Sequence, residues 1–256
     1  MATALTIAGS DPTGGAGLQA DLTVFAVFGV HGLGVPAALT AQSTEVVDRI
    51  LPVEEGFLER QLDVLLNDIR PDSLKTGMLY TASAVEIVAQ KIKEYRLGNL
   101  VIDPVTVSST GTSLIEDGTL EALRLRLFPL ARVVTPNIYE ASVLTGISIR
   151  TGDDIEDAAR ALKDLGPEVV IITGGHLEPE AVDLFYDGKD FHRLGAKTIT
   201  GDYHGTGCAF SAAIAACLAL GHSPLESAKR AKEFLGRAIQ NAFHPGKGLG
   251  MLGLLR

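Results

Sequence analysis

The sequence predicts an α/β fold in which a sheet is covered by helices, and three features of its 256 residues carry that expectation. Short apolar runs alternate with longer segments whose apolar residues recur at helical spacing. Glycine or proline punctuates the passage from one kind of segment to the other. Hydrophobic residues make up 46% and charged residues 21%, which places the chain among globular proteins and not among disordered ones.

The elements follow in order. Residues 4–8 read as a short buried strand that leads through a glycine-rich loop into a helix over about 16–28. Residues 33–41, small and apolar, form a second buried strand. Helical spacing of Phe57, Leu58, Leu62, Leu65 and Leu66 predicts a helix over 54–68, ended by Pro71. The strand–helix unit repeats at 73–76 and 82–95. Strands at 100–103 and 133–135 stop where Pro104 and Pro136 disfavour the preceding residue's helical conformation. Helices are expected over 119–127, 138–144 and 155–165, and 169–173 is the most β-branched run. Residues 182–186 and 190–194, joined through Asp187-Gly188-Lys189, read as a β-hairpin. Two long helices, about 207–220 and 225–242, follow, and the chain 1–256 reads as one domain without repeat or linker. In such a fold ligands sit at the carboxyl ends of the strands.

Composition narrows the function. A net charge of -9 argues against a nucleic-acid-binding surface. No apolar run reaches the roughly 20 residues that span a bilayer, so no membrane partner is expected. The opening MATALTIAGSD lacks the basic-then-apolar layout of a signal peptide. The two cysteines, Cys208 and Cys217, share one Gly/Ala-rich stretch, so a disulfide is not expected and the cytoplasm is the expected compartment.

Two segments carry candidate chemistry. Gly15-Ala16-Gly17-Leu18-Gln19-Ala20 formally matches a dinucleotide fingerprint, but the second strand ends Leu39-Thr40-Ala41-Gln42 without the acid that would hold a ribose. No Lys-Ser/Thr follows the glycines, so it is not a Walker A loop either. Asp11 and Asp21 bracket these glycines. The second segment, Asp202-Tyr203-His204-Gly205-Thr206-Gly207-Cys208-Ala209, opens an Ala-rich helix. Small residues there expose backbone N–H groups at a helix amino terminus, an anion site suited to a phosphoryl group in flight. Cys208 would lie beside an attacking hydroxyl, its thiol acidified by the same helix terminus. The alternative is tight packing at Gly205 and Gly207 around a small buried cysteine.

The ordered motifs are GSDPTGGAGLQAD near the amino terminus, LTAQ at 39–42, KTGM at 75–78, DPV at 103–105, TPNIYEA at 135–141, GGH at 174–176 and HGTGC at 204–208. Together, over essentially the whole chain, they resemble the hydroxymethylpyrimidine/phosphomethylpyrimidine kinases of thiamine biosynthesis, within the ribokinase-like superfamily. The resemblance implies a three-layer α/β/α fold with a mostly parallel sheet, ATP and Mg²⁺ as cofactors, and a homodimer. It implies two phosphorylations, of 4-amino-5-hydroxymethyl-2-methylpyrimidine and then of its monophosphate. By the same carry-over Gly9 and Asp21 belong to the pyrimidine pocket, Gln42 hydrogen-bonds the ring, and Met78 and Val105 pack on its faces. Cys208 takes the place of the catalytic aspartate of sugar-kinase relatives, and Gly205, Thr206 and Gly207 form an anion hole. Asn137 and Glu140 match positions linked to Mg²⁺ and phosphate, Asp103 lies near the same phosphates, Asp103 and Glu140 are the metal candidates, and Gly175 and Lys232 fall on the nucleotide side. Asn137 and Glu140 could equally cap the helix after Pro136.

The chain departs from the pattern at two places. Family members often carry a lysine in a stretch resembling DPVMVAKSG, where this chain reads Asp103-Pro104-Val105-Thr106-Val107-Ser108-Ser109-Thr110-Gly111. Thr173 stands where a second lysine often precedes GGH. Two absent cations are expected to weaken the hold on a doubly charged substrate, above all in the second phosphorylation. Pyridoxine or pyridoxal kinase, whose ring also bears a hydroxymethyl group, and a pyrimidine-binding relative with weak catalysis are the competing readings. His176 and His204 read as polar lining or capping residues.

Overall fold

The computed structural model describes residues 1–108, 111–175, 181–196 and 201–255. The chain runs β1 (Thr3–Ser10), α1 (Gly17–Val27), β2 (His31–Gln42), β3 (Val47–Pro52), α2 (Glu55–Asp68), β4 (Ser73–Thr76), α3 (Ala82–Glu94) and β5 (Leu100–Ile102). It continues through α4 (Thr119–Ala122), β6 (Val133–Val134), α5 (Ile138–Thr145), α6 (Gly152–Lys163), β7 (Val169–Gly175), β8 (Ala181–Tyr186) and β9 (Phe191–Ala196). It closes with β10 (Tyr203–His204), α7 (Thr206–Ala219), α8 (Pro224–Gln240) and β11 (Gly250–Met251).

Among the described residues nine strands form one sheet in the order β3-β2-β1-β4-β5-β6-β7-β8-β9. The centre from β2 to β7 is parallel, whereas β3 and β8 pair antiparallel with their neighbours. Alternation of side chains along each strand sorts the core into two layers. Leu5, Ile7, Leu100, Ile102, Val134, Val170 and Ile172 meet buried residues of α2, α3, α5 and α6. Ala4, Val101, Val133, Val169 and Ile171 meet α1, α7 and α8. Both faces are therefore covered, and the strands read as continuous apolar runs, as burial on two sides requires.

Local chemistry fixes the helix starts. Glu54 accepts from the N–H groups of Gly56 and Phe57, Thr81 from Ala84, and Ser223 from Glu226 ahead of Pro224. Asn137 and Thr151 each begin a reciprocal capping box. Two elements differ from the sequence expectation. The stretch 119–127 is α-helical for only one turn and then widens into a π-turn over Leu123–Leu127. Pro129, which has no N–H to donate, lies just beyond it. Strand β3 was not expected, because an edge strand with mostly exposed side chains and a terminal Pro52 lacks an apolar signature. None of the described helices is long and apolar enough to cross a membrane.

Candidate active site

The parallel strands end along one edge, and the loops leaving them enclose a cleft of about 320 Å³. Gly9 and Ser10 come from the end of β1, Thr40 and Gln42 from β2, and Gly77 and Met78 follow β4. Asp103 and Val105 follow β5, Asn137 precedes α5, and Glu140 lies in its first turn. Gly205, Thr206, Gly207 and Cys208 open α7, and all of these residues line the cleft.

One end is apolar. Met78 and Leu114 form a small apolar cluster with Ala38, against which Val105 packs. A side chain at position 9 would meet the Met78 methyl group and displace the flexible end of that residue, so glycine lets Met78 lie over the end of β1. Polar groups line the same cleft. His204 Nε2 lies 2.8 Å from Asp11 Oδ2 and 3.3 Å from one end of the Gln42 carboxamide. Asp11 also accepts from Thr13 and from the Ala16 N–H. Burial works to raise the Asp11 carboxyl, but the hydrogen bonds from His204 and Thr13 prevail and hold it below the usual range.

The amino terminus of α7 also opens onto the cleft. Gly205 caps α7 in the left-handed region (φ 83°), and any side chain there would strike the Gly15 carbonyl. The first-turn N–H groups at 206–208 have no partner within the helix, and the helix dipole adds positive potential there.

A chain of buried charge lies beneath this end. Lys75, fully buried, places Nζ 2.6 Å from Asp21 Oδ1 and 3.8 Å from Asp103 Oδ2. Thr6 donates to Asp21 at 2.6 Å, and Ser211 donates to Asp103 at 3.1 Å. Burial alone would push the Lys75 ammonium down, but Asp21, Cys208 and Asp103 together raise it above its ordinary value. Burial raises the Asp103 carboxyl. Burial, joined by the charge of Asp103, pushes Glu140 up to about 8. Glu140 Oε2 accepts from the Asn137 N–H at 2.9 Å and Oε1 from the Thr106 N–H at 3.4 Å, while Asn137 caps the Glu140 N–H at 2.9 Å. The capping role is therefore real, and both residues still line the cleft.

One sequence expectation needs correction, and two other expected site residues sit apart from the cleft lining. The Cys208 thiol is not acidified: burial pushes it up to about 12, outweighing the pull of Lys75. Asp21 stands behind the pocket wall and not in it, wholly buried by its pairing with Lys75 and Thr6. Lys232 does not line the cleft; its Nζ is held 2.5 Å from Asp183 Oδ2. Gly175 ends β7, and Thr173 two residues earlier lines the cleft. His176, Ser109 and Thr110 lie outside the described residues. Sequence reasoning gave no role to Lys75 inside KTGM, and it read His204 as a lining or capping residue. The available signal was a charged residue within an otherwise buried strand, which implies a buried counter-charge.

The phosphomethylpyrimidine kinase family model matches residues 11–253. The hydroxymethylpyrimidine/phosphomethylpyrimidine kinase of Synechococcus elongatus is 44% identical over 98% of this chain and 96% of that protein. The thiamine biosynthesis bifunctional protein ThiED of Geobacter sulfurreducens is 45% identical over 96% of this chain, which spans only 51% of that longer protein. Among solved structures, an ADP complex of Bacillus subtilis pyridoxal kinase superposes with a TM-score of 0.91 at 40% identity, over 98% of this chain and 96% of that one. With the family's motifs gathered around one cleft of a three-layer ribokinase-like fold, the chain belongs to the phosphomethylpyrimidine kinase family.

Proposed function

We propose that the protein transfers the γ-phosphoryl group of ATP to the hydroxymethyl group of 4-amino-5-hydroxymethyl-2-methylpyrimidine, and then a second phosphoryl group to the monophosphate, in thiamine biosynthesis. The observation that carries this reading is the continuity of a single cleft. Its apolar, amide-bearing end suits an aminopyrimidine, and its other end is a helix amino terminus suited to phosphate. Met78 and Val105 hold the ring, Gly9 leaves room for it, and the Gln42 carboxamide offers its edge a donor and an acceptor. The hydroxymethyl group is thereby aimed at the N–H groups of Thr206, Gly207 and Cys208, which stabilise charge as the phosphoryl group moves.

Asp103 and Glu140 are hard oxygen donors beside the phosphate end, and buried carboxyls with raised pKa gain most from a cation. Among the described residues no group of three or more His, Cys, Asp or Glu side chains is placed to hold a metal ion by itself. That donor set fits Mg²⁺, which takes one or two carboxylates and completes its shell with water and phosphate oxygens. Bound there, Mg²⁺ would neutralise charge on the nucleotide phosphates. A thiol near 12 is protonated at neutral pH, and the Cys208 S–H hydrogen-bonds to Asp103. Cys208 therefore serves as a relay: its sulfur takes the alcohol proton as its own proton passes to the Asp103 carboxylate. Lys75 anchors the far side of this pair.

Pyridoxal kinase is the second reading, favoured by the close superposition on the Bacillus enzyme. Purified protein given ATP and Mg²⁺ with the pyrimidine alcohol, its monophosphate or pyridoxal separates the two, with products identified by mass. The pyrimidine mono- and diphosphates are the expected products. Faster turnover of pyridoxal would transfer the assignment to that ring, and no ATP-dependent product from any acceptor would end it.

A further inference from the structure

We propose that Thr40 and His204 lock the Gln42 carboxamide in one sense, its NH₂ toward Thr40 and its oxygen toward His204, so that the ring end of the cleft presents one fixed donor–acceptor order. This rests on Gln42 belonging to the substrate pocket and goes beyond it, because it assigns positioning roles to two residues that the family motifs leave without one.

The two ends of a carboxamide have the same shape, and the proton inventory around them decides which is which. His204 Nε2 lies 2.8 Å from Asp11 Oδ2. Asp11 Oδ2 already accepts from the Ala16 N–H at 2.9 Å, and Oδ1 accepts from the Thr13 N–H at 2.9 Å and the Thr13 hydroxyl at 2.7 Å. A carboxylate surrounded by so many donors is ionised, so the single hydrogen that Nε2 can carry is directed to it. That nitrogen then has no lone pair to offer. The Gln42 atom 3.3 Å from it can only be an acceptor, the amide oxygen.

The far end of the same amide gives the same answer independently. Thr40 Oγ1 lies 2.9 Å from the Ser10 carbonyl, which can only accept, and 3.2 Å from the Gln42 side chain. The hydroxyl has one proton, and the shorter contact to Ser10 uses it. Towards Gln42 the Thr40 oxygen offers lone pairs, so the atom facing it is the NH₂. Both ends therefore agree, and each leaves Gln42 one N–H and one carbonyl lone pair for a ligand. An aminopyrimidine edge, with an amino donor beside a ring-nitrogen acceptor, matches that pair.

His204 is itself held from outside the cleft. Its backbone pairs with Met251 of β11, next to Tyr203 on Gly250, so the carboxyl-terminal segment fixes the imidazole's starting point. The same segment returns to the end of β2: the Gly248 N–H donates to Thr44 Oγ1 at 3.1 Å, two residues beyond Gln42.

The test has two arms. Long-range ¹H–¹⁵N spectra of ¹⁵N-histidine-labelled protein, with His204 assigned through H204Q, read the ring without any substrate. A protonated Nε2 supports the lock; a bare Nε2 overturns it, whatever the enzyme turns over. In the kinetic arm, Thr40→Val keeps shape but loses the oxygen, whereas Thr40→Ser keeps the oxygen. Thr40→Val is expected to raise KM for the pyrimidine alcohol about tenfold, one hydrogen bond's worth, with kcat within about twofold. Thr40→Ser is expected to restore KM. Equal effects of the two variants, or a fall in kcat at unchanged KM, would overturn the positioning role. Absence of any pyrimidine turnover would remove the functional assignment while leaving the spectroscopic arm to judge the lock.

Discussion

Cys208 shows how one position answers to two opposing fields. The helix amino terminus and Lys75 favour a thiolate, while burial and the carboxylates of Asp103 and Asp21 oppose it, and the thiol ends near 12. At pH 8 a thiol near 12 is ionised to about one part in ten thousand, against about a quarter for an ordinary cysteine. Iodoacetamide, which needs the thiolate, is therefore expected to label Cys208 at least ~100-fold more slowly than a cysteine in a peptide at pH 8. The rate should still climb about tenfold per pH unit above pH 9, as read by peptide mass spectrometry. A labelling rate that levels off below pH 8 would show an acidified thiol and return Cys208 to the role of a direct base. The same residue explains why sequence reasoning erred here. HGTGC announces the helix terminus, but the opposing carboxylates belong to Asp21 of α1 and Asp103 just after β5, distant in the chain, and leave no trace near position 208.

At the scale of the element, α5 carries the most information. Pro136-Asn137 followed by Glu140 spells a capping box, and the structure contains it. The local sequence does not reveal that the capping carboxylate is also buried against Asp103 and raised to about 8. The sign of the resulting pH dependence can be worked out. Between about 4.5 and 8 Glu140 is ionised in the unfolded chain and protonated in the fold, so folding takes up a proton and stability falls as pH rises. This one group contributes a slope of up to about 1.4 kcal/mol per pH unit across that window. Urea unfolding of the ligand-free protein at pH 6, 7 and 8 is expected to show that decline, and Glu140→Gln to flatten it. A wild-type slope identical to that of the variant would mean that Glu140 is already ionised in the fold. If Glu140 holds Mg²⁺ as proposed, only its ionised form can do so, and the variant is then expected to bind Mg-nucleotide worse even where it is more stable. Elements of this kind were legible wherever apolar period and cap agreed, as at α2, α3 and α8. They were not legible where tertiary pairing alone defines them, as at β3 and in the β10–β11 pair.

At the scale of the whole molecule the acidic balance meets an anionic substrate. The alternating pattern made the layered fold readable, because two-sided burial leaves strands apolar throughout. Partnerships across long stretches of chain, such as His204 with Asp11, were not readable in that way. Neither Lys nor Arg appears among the described residues lining the cleft, and the net charge is -9. Positive potential there comes from the α7 terminus, from buried Lys75 and from any bound Mg²⁺, within a field that otherwise repels phosphate. Salt should then help and not hinder the second phosphorylation. The Debye length shrinks from about 30 Å at 0.01 M to about 8 Å at 0.15 M, which screens the distant acids more than the contacts inside the cleft. With ATP and Mg²⁺ saturating, KM for the pyrimidine monophosphate is expected to fall over that range, while KM for the uncharged alcohol stays nearly level. Thr173→Lys, which puts a cation on the cleft wall, should lower KM for the monophosphate about tenfold at low salt and invert its salt dependence. It should leave the alcohol nearly untouched, because that acceptor carries no phosphate for the new ammonium to meet. A wild-type KM for the monophosphate that rises with salt would instead reveal that the site already holds phosphate through side-chain cations, and the compensating role given to α7 would fail.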